Sequence, residues 1–388
     1  MKKIVFIGDY RFPSNFAACN RVFYMAKACQ QIGYDTLVIG KGTLKDTTKD
    51  INDYRGVAYT TMEKRKVKPF VKLLTFFKRR KLYSEALTRF ASDATYVIAY
   101  GCSCAKHMKR ILRFGEQNNI EIVCDISEWY DRRQFFGLRG SIEYAIFDHA
   151  FKNTFEKADK IICCSKLVRN YFIQKKKHVL ILNGILDTHE FFPCDHLEQR
   201  KCALIYAGIP STKDCLIEFY EALDRLEQPE KVELSIVGPT EEYMEQLFED
   251  LGYEGPRPSN IKIVPRVDKK TLIGMIKNSS FSVLLRPNKR YANAGFPSKL
   301  CESLSVGTPM VTNLTSDIGD YLSEKNSVII KDISVDSVVD AIRRAMGVDQ
   351  KTYDHMRREC IDIAEENFSI EAGAKRLEVF LKYDRSRG

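Results

Sequence analysis

No run of apolar residues in this chain approaches the ~20 that a membrane-spanning helix needs. The opening, Met1-Lys2-Lys3-Ile4-Val5-Phe6-Ile7-Gly8, turns from basic to apolar, but the apolar part is too short for a secretory leader. It reads instead as a buried first strand, and the expected location is the cytoplasm. Cys-x-x-Cys pairs are also missing. The cysteines are scattered, several inside apolar runs (Cys124, Cys163, Cys164, Cys202), and Cys102 with Cys104 has no second pair at zinc spacing. Reduced core thiols and no structural metal are expected. The few histidines have no acid or nucleophile at useful spacing: His107 and His149 lie in helical patterns, the others in polar or helix-end contexts. Neither a Gly-x-Ser-x-Gly elbow nor a glycine-rich Lys-Ser/Thr phosphate loop is present, so hydrolase and kinase chemistry find no support.

What is present fits a globular protein, with 44% hydrophobic and 29% charged residues. At 388 residues the chain is too long for one ordinary core, and two α/β domains are expected. A formal net charge of +10 points to a polyanionic partner: a nucleotide, a phospholipid surface or nucleic acid. No aromatic-basic module of the nucleic-acid type occurs, which ranks nucleic acid last.

Apolar strands alternate with helical patterns through the first half, as in a parallel sheet covered on both faces. Strands are predicted at 3–8, 36–40, 96–100, 120–124 and 160–164, with helices at 15–32 and 141–157. After Asn183-Gly184 the periodicity fails, and residues 187–201 read as a linker. A second alternating series follows, with strands at 203–207, 232–237, 261–264, 281–285, 310–312 and 327–330. Its helix at 268–278 has Asp268 as a predicted N-cap. There is no internal repeat and no low-complexity segment.

The segment richest in chemistry is SVLLRPNKRYANAGFPSKLCESLSVGTP, Ser282 to Pro309. A buried strand leads into a polar loop with Arg286, Asn288, Lys289, Arg290 and Asn293, then into a helix with Ser298 as expected N-cap. A loop and a helix N-terminus at the carboxyl end of a strand are where open α/β sheets bind ligands, and such a terminus favours phosphate. Lys299 and Arg286 add charge, Arg as a two-pronged donor. Glu302, one turn on, has the chemistry to accept bonds from two ribose hydroxyls. The bland alternative makes Lys299 and Glu302 ordinary helix formers on a solvated face.

The run Gly295-Phe296-Pro297-Ser298-Lys299-Leu300-Cys301-Glu302, followed by Ser305-Val306-Gly307-Thr308-Pro309, resembles the donor-binding signature of the family-four retaining glycosyltransferases. Ala158 to Ser165, the turn Ile181-Leu182-Asn183-Gly184, and Tyr206-Ala207-Gly208 with Lys213 resemble other pieces of that family in the same order. The resemblance implies a GT-B architecture: two Rossmann-like domains facing across a cleft, residues 1–190 on the acceptor side and 191–368 holding the donor. A C-terminal helix within 369–388 would cross back to the first domain. It implies that Lys213 and Lys299 neutralise the diphosphate of a UDP- or GDP-linked sugar, without a divalent metal or further cofactor, and that Glu302 holds the ribose; Gly208, Arg286 and Ser298 are further donor-binding candidates. Ala17, in the first loop, stands where the family has a glycine-rich approach to the phosphates.

Three departures from the family stand out. Ile209 replaces the arginine that follows the glycine, and Arg286 is the proposed substitute. Ala294 occupies the place of the first paired glutamate. No histidine occurs at Cys124 to Asp131, where Asp125 and Glu128 are the available catalytic groups; Glu128 is preferred to face the sugar or acceptor, and helix capping is the alternative. The stretch Lys64 to Lys81 mixes dense positive charge with apolar residues, and Lys68, Phe70, Phe76, Phe77, Arg79 and Arg80 would suit an anionic membrane surface. A core helix with snorkelling lysines is the alternative. The expected activity is transfer of a sugar to a hydroxyl of a lipid-linked or polysaccharide acceptor in cell-surface glycan assembly. Its rivals are another GT-B enzyme, such as a nucleotide-sugar epimerase, and an inactive scaffold that binds a nucleotide sugar or the membrane.

Overall fold

The computed structural model describes residues 2–14, 16–41, 50–62, 75–135, 137–190, 202–211 and 213–383, without the side chains of 75–81, 102, 103 and 190. The chain divides into two compact units, Met1–Leu186 with Ile370–Gly388, and Asp187–Ser369.

In the first unit the apolar run Ile4-Val5-Phe6-Ile7 is buried on both sides, as the central strand of a parallel sheet must be. It belongs to β1 (Lys2–Arg11), and the sheet continues with β2 (Tyr34–Lys41), β3 (Asn52–Tyr54), β4 (Val57–Thr61), β5 (Tyr96–Tyr100), β6 (Glu121–Ile126), β7 (Lys160–Cys163) and β8 (His178–Ile181). The order is β3-β4-β2-β1-β5-β6-β7-β8, and only the β3–β4 pairing is antiparallel. The register sets Ile4 of β1 between Thr36 and Tyr96. The helix Ile370–Lys382 completes this unit: Tyr96 Oη and Lys160 Nζ both donate to the Leu381 carbonyl at 2.7 Å, and His178 stacks on Phe380 and Tyr383. The strands β3, β4 and β8 lie beyond the sequence expectation. β3 is three polar or half-buried residues, too short for a period, and β8 is half-buried throughout, so its apolar signal is diluted.

The second unit contains β9 (Cys202–Ala207), β10 (Val232–Gly238), β11 (Ile261–Pro265), β12 (Phe281–Leu284), β13 (Met310–Thr312) and β14 (Ser327–Ile329), all parallel, in the order β11-β10-β9-β12-β13-β14. Side chains of β9 alternate between two cores, as the strand period requires. Leu204 and Tyr206 join the larger one, with Phe219, Leu223, Ile342 and Tyr353, while Ile205 and Ala207 face Ile273, Ile276 and Val306. The helix Lys269–Lys277 starts at Asp268, whose carboxylate accepts from Thr271 N at 3.0 Å, the cap expected from sequence.

Each sheet reverses its winding beside its first strand, between β1 and β5 and between β9 and β12. At such a reversal the loops leave in opposite directions and open a crevice at the strand carboxyl ends. Among the described residues no helix is long and apolar enough to cross a membrane. The described cysteines carry no disulfide, and Cys124, Cys163 and Cys164 are buried.

Candidate functional site

In the second unit the reversal point gathers the charged residues of two loops. β9 runs into Gly208, whose φ of +118° is a region L-residues rarely adopt. A Cβ there would sit 3.0 Å from Lys299 Cε, and one at the neighbouring Gly238 would meet the Gly208 carbonyl carbon at 2.9 Å. The backbone therefore passes close under Lys299. Gly208→Ala should cost about 1–3 kcal/mol from the backbone alone, read as a lowered urea midpoint, and should displace the lysine, read as weaker nucleotide binding.

Lys299 Nζ lies 3.6 Å from the centroid of the Tyr206 ring, a cation–π contact. No hydrogen bond or ion pair holds this ammonium among the described residues. Burial pushes its pKa down to about 7; Arg286 and Lys213 add repulsion, and Asp214 and Glu302 oppose it. Asp214, 5% exposed, is the anion at the centre. Its carboxylate accepts from Ser211 N and Oγ at 3.1 and 3.2 Å and from Arg286 Nε at 3.4 Å. Burial alone would raise its pKa, but Lys299, Arg286 and Lys213 together hold it below the usual carboxylate range. Arg286 is fixed at its backbone by Asn313, which accepts from its N–H at 3.0 Å and donates to its carbonyl at 2.7 Å. Its terminal guanidinium nitrogens make no hydrogen bond among the described residues.

The next loop is fastened by Ser316, a residue with φ of +58°, whose N–H donates to Asn293 Oδ1 at 2.7 Å and whose hydroxyl donates to the Gly295 carbonyl at 2.6 Å. The helix Ser298–Ser305 follows. Its N-cap is Pro297, not Ser298: the serine is already the first helical residue and is exposed, and no side chain caps the terminus. Proline's fixed φ and preference for an extended predecessor shift the start by one residue. Lys299 and Glu302, three apart, share a helix face. The Glu302 carboxylate is half-buried without a hydrogen bond among the described residues. Burial raises its pKa, with Lys269 and Lys299 opposing. Ile209 is 55% exposed and carries no charge, while Ala294 is fully buried, so no side chain projects from the place of the family's first glutamate.

The first unit treats its two expected catalytic carboxylates differently. Asp125 is 1% exposed, and both oxygens are taken by Arg21: Nε to Oδ2 at 2.8 Å and Nη2 to Oδ1 at 2.6 Å. Arg21 Nη1 also donates to the Leu182 carbonyl at 2.8 Å. Arg21 thus clamps β6, the first helix and the 182–183 turn together, and the carboxylate of Asp125, expected from sequence to be a catalytic group, is committed to that ion pair. Glu128 stays half-buried in the loop after β6. Ala17 is exposed at the start of the helix Ala17–Gln31, whose N-terminus no side chain caps. His107 is buried and stacks on Tyr83 at 4.0 Å. Burial lowers its pKa to about 4. Tyr83 donates to Asp9 at 2.9 Å, and Asp9 pairs with Lys41 at 2.7 Å.

Lys68 and Phe70 lie outside the described residues; Phe76, Phe77, Arg79 and Arg80 lie early in the helix Thr75–Phe90, where only the backbone is described. Among the described residues no group of three or more His, Cys, Asp or Glu is placed to hold a metal ion. Sequence reasoning missed Asp214 and Asn313, and named Tyr206 only as part of the Tyr206-Ala207-Gly208 piece, with no role of its own. Asp214 left a trace as the neighbour of Lys213.

Residues 193–365 match the family model described as glycosyl transferases group 1. No curated protein matches by sequence. Solved structures match over nearly the full length. Sucrose-phosphate synthase from Thermosynechococcus elongatus has a TM-score of 0.72 at 13% identity, covering 98% of both chains. HepE of Anabaena in complex with UDP-glucose has 0.69 at 13% identity, covering 98% of this chain and 99% of that one. The lipopolysaccharide outer core galactosyltransferase WaaB, in its apo form, has 0.63 at 13% identity with 98% and 99% covered. Residues 193–365 thus resemble the glycosyl transferases group 1, and the chain as a whole has the GT-B fold.

Proposed function

We propose that this glycosyltransferase takes a sugar from a UDP- or GDP-linked donor and delivers it, with retention, to a hydroxyl of a lipid-linked or polysaccharide acceptor. One observation carries the reading. Three cationic side chains, Lys213, Arg286 and Lys299, surround a buried carboxylate at the sheet's reversal point, and among the described residues the Lys299 ammonium and the outer Arg286 nitrogens make no hydrogen bond. Such a surplus of positive charge suits a diphosphate and, more than the ground state, the charge that grows on it as the glycosidic bond breaks. The helix N-terminus at Ser298 adds its amides, and Glu302 takes the ribose hydroxyls. Arg286 supplies the charge that Ile209 lacks. These cations are also the physical basis for expecting transfer without a divalent metal. Ala17 lets the first loop approach the phosphates closely, and Glu128 faces the sugar or acceptor.

No carboxylate pair suited to double displacement accompanies these groups. Attack on the face of the leaving group, with the departing phosphate helping to deprotonate the acceptor, is the proposed course. The acceptor assignment draws on the net charge of +10, on the basic and apolar stretch Lys64 to Lys81, and on likeness to a lipopolysaccharide galactosyltransferase. Together these suggest work at the inner face of the cell membrane.

The test is thermal stabilisation by UDP, GDP, ADP and their sugar conjugates, with and without magnesium. A ligand at a hundredfold excess over its Kd adds about 2.7 kcal/mol, on the order of a 5–10 °C rise for a unit of this size. One base should give this shift, magnesium should not be needed, and Lys299→Ala or Glu302→Ala should lose the shift. No shift with any nucleotide would sink the donor site.

The lowered pKa of Lys299, about 7, makes a second prediction. Below that pH the free site carries the ammonium; above it the free amine must regain a proton to hold the diphosphate. Affinity for the nucleotide sugar should be strongest below about pH 7 and weaken by up to about tenfold per unit above it. Calorimetric titration in buffers of differing ionisation enthalpy should find proton uptake on the alkaline side. Affinity that is flat from about pH 6 to 9 would contradict the assignment.

A further inference from the structure

The donor site contains one group that no phosphate should want: the carboxylate of Asp214. It is almost fully buried, its two oxygens are committed to Ser211 and Arg286, and it lies among three cations. A carboxylate there repels an incoming diphosphate by Coulomb's law, so its presence needs a compensating effect. Two are visible in the geometry.

The first concerns Arg286. Asp214 accepts from Nε, the inner nitrogen, at 3.4 Å. Asn313 fixes the backbone of the same residue from the other side, and Cys215 N donates to the Leu285 carbonyl at 3.0 Å, tying the loop after β9 to the end of β12. The guanidinium is therefore held at its stem while its outer nitrogens stay uncommitted. Those outer nitrogens are among the pairs that bind a phosphate bidentately. The second effect concerns Lys299, which makes no hydrogen bond among the described residues and rests on the Tyr206 face beside Asp214. Two neighbouring cations and burial all disfavour its charged form, and Asp214 is the first of the groups that favour it.

We propose that Asp214 is a positioning residue for the donor diphosphate, holding Arg286 by its stem and standing as the countercharge to Lys299 in the empty site. The proposal rests on the donor-site reading above and adds a residue that acts through two others. It predicts that removing the negative charge weakens binding of an anion, opposite to what simple repulsion would give.

The experiment measures UDP and GDP sugar affinity by calorimetry for the intact chain and for Asp214→Asn, Ser211→Ala and Arg286→Lys, across about pH 6 to 9. Binding by the unaltered chain is established first, so failure of the donor site itself shows before any variant is made. With Asp214→Asn the affinity at about pH 8 should fall about tenfold or more, and the pH at which binding weakens should move down by about one unit, because Lys299 loses its proton earlier. At about pH 6 the gap should narrow, since Lys299 is then mostly charged in the unaltered chain and about half charged in the variant. Arg286→Lys, which loses the fork and keeps the charge, should weaken binding without moving that pH. Ser211→Ala loosens Asp214 without removing its charge and should give a smaller loss in the same direction as Asp214→Asn, which keeps the test open if the Asn variant does not fold. Unchanged or tighter binding in Asp214→Asn overturns the proposal. So does a loss equal at every pH, which would mark a merely structural residue, or, where only Ser211→Ala folds, no loss in that variant.

Discussion

Turnover in Lys299→Ala should fall by about 10²–10³-fold, the range seen when one donor to a developing charge is removed. The effect belongs to the chemical step and comes on top of the weaker donor binding that the same variant should show. In the ground state the diphosphate has other partners: Arg286, Lys213 and the helix amides all remain. As the sugar leaves, charge concentrates on the departing phosphate, and a lysine set in a dry, half-buried position interacts with that charge at low effective dielectric. The structural support is specific. The ammonium is held by an aromatic face at 3.6 Å and by the close passage of Gly208, so it needs little reorganisation when charge develops. Steady-state and single-turnover rates of the variant, compared at saturating donor, check this. A rise in KM with unchanged kcat would place Lys299 in ground-state binding only.

Arg21→Ala should lower the stability of the first unit by about 3–5 kcal/mol, the usual penalty for leaving one member of a buried ion pair alone. Asp125 keeps a 1% exposed carboxylate with both oxygens suddenly unpartnered, and the Leu182 carbonyl loses its donor as well. Arg21→Met with Asp125→Leu should recover much of that loss, since apolar replacement of a whole buried pair is often neutral or stabilising. Urea denaturation followed by far-UV circular dichroism reads both. If the single variant unfolds at the midpoint of the unaltered chain, the clamp is not a clamp, and Asp125 returns to consideration as a reacting group.

Much of the architecture was legible because the buried strands are unbroken apolar runs. Tyr96–Tyr100 and Met310–Thr312 have the predicted ends, and others differ by one to three residues at an end. The short Asn52–Tyr54 strand was not legible, since its pairing with β4 depends on a neighbour rather than on its own pattern. The site divides in the same way. Lys299 and Glu302 sit three apart on a helix in a contiguous motif, so local sequence named them together. The Asp214 to Arg286 contact spans 72 positions, and Arg21 to Asp125 spans 104, so no local pattern could disclose either. Asp125 misled because a polar residue at a strand end has the same sequence appearance whether its carboxylate is open or already paired.

The helix Ile370–Lys382 belongs to the first unit yet is encoded after the whole of the second. Synthesis therefore delivers the two units out of step. The second is complete once Ser369 has left the ribosome, and it is free to fold while the first still lacks the Leu381 carbonyl that Tyr96 and Lys160 bind. Until the last helix arrives, the buried Lys160 is without that acceptor and the edge by β8 without its cover. A released chain ending at residue 369 should be resistant to protease over its later half and sensitive over its earlier half, the reverse of the order in which the two were made.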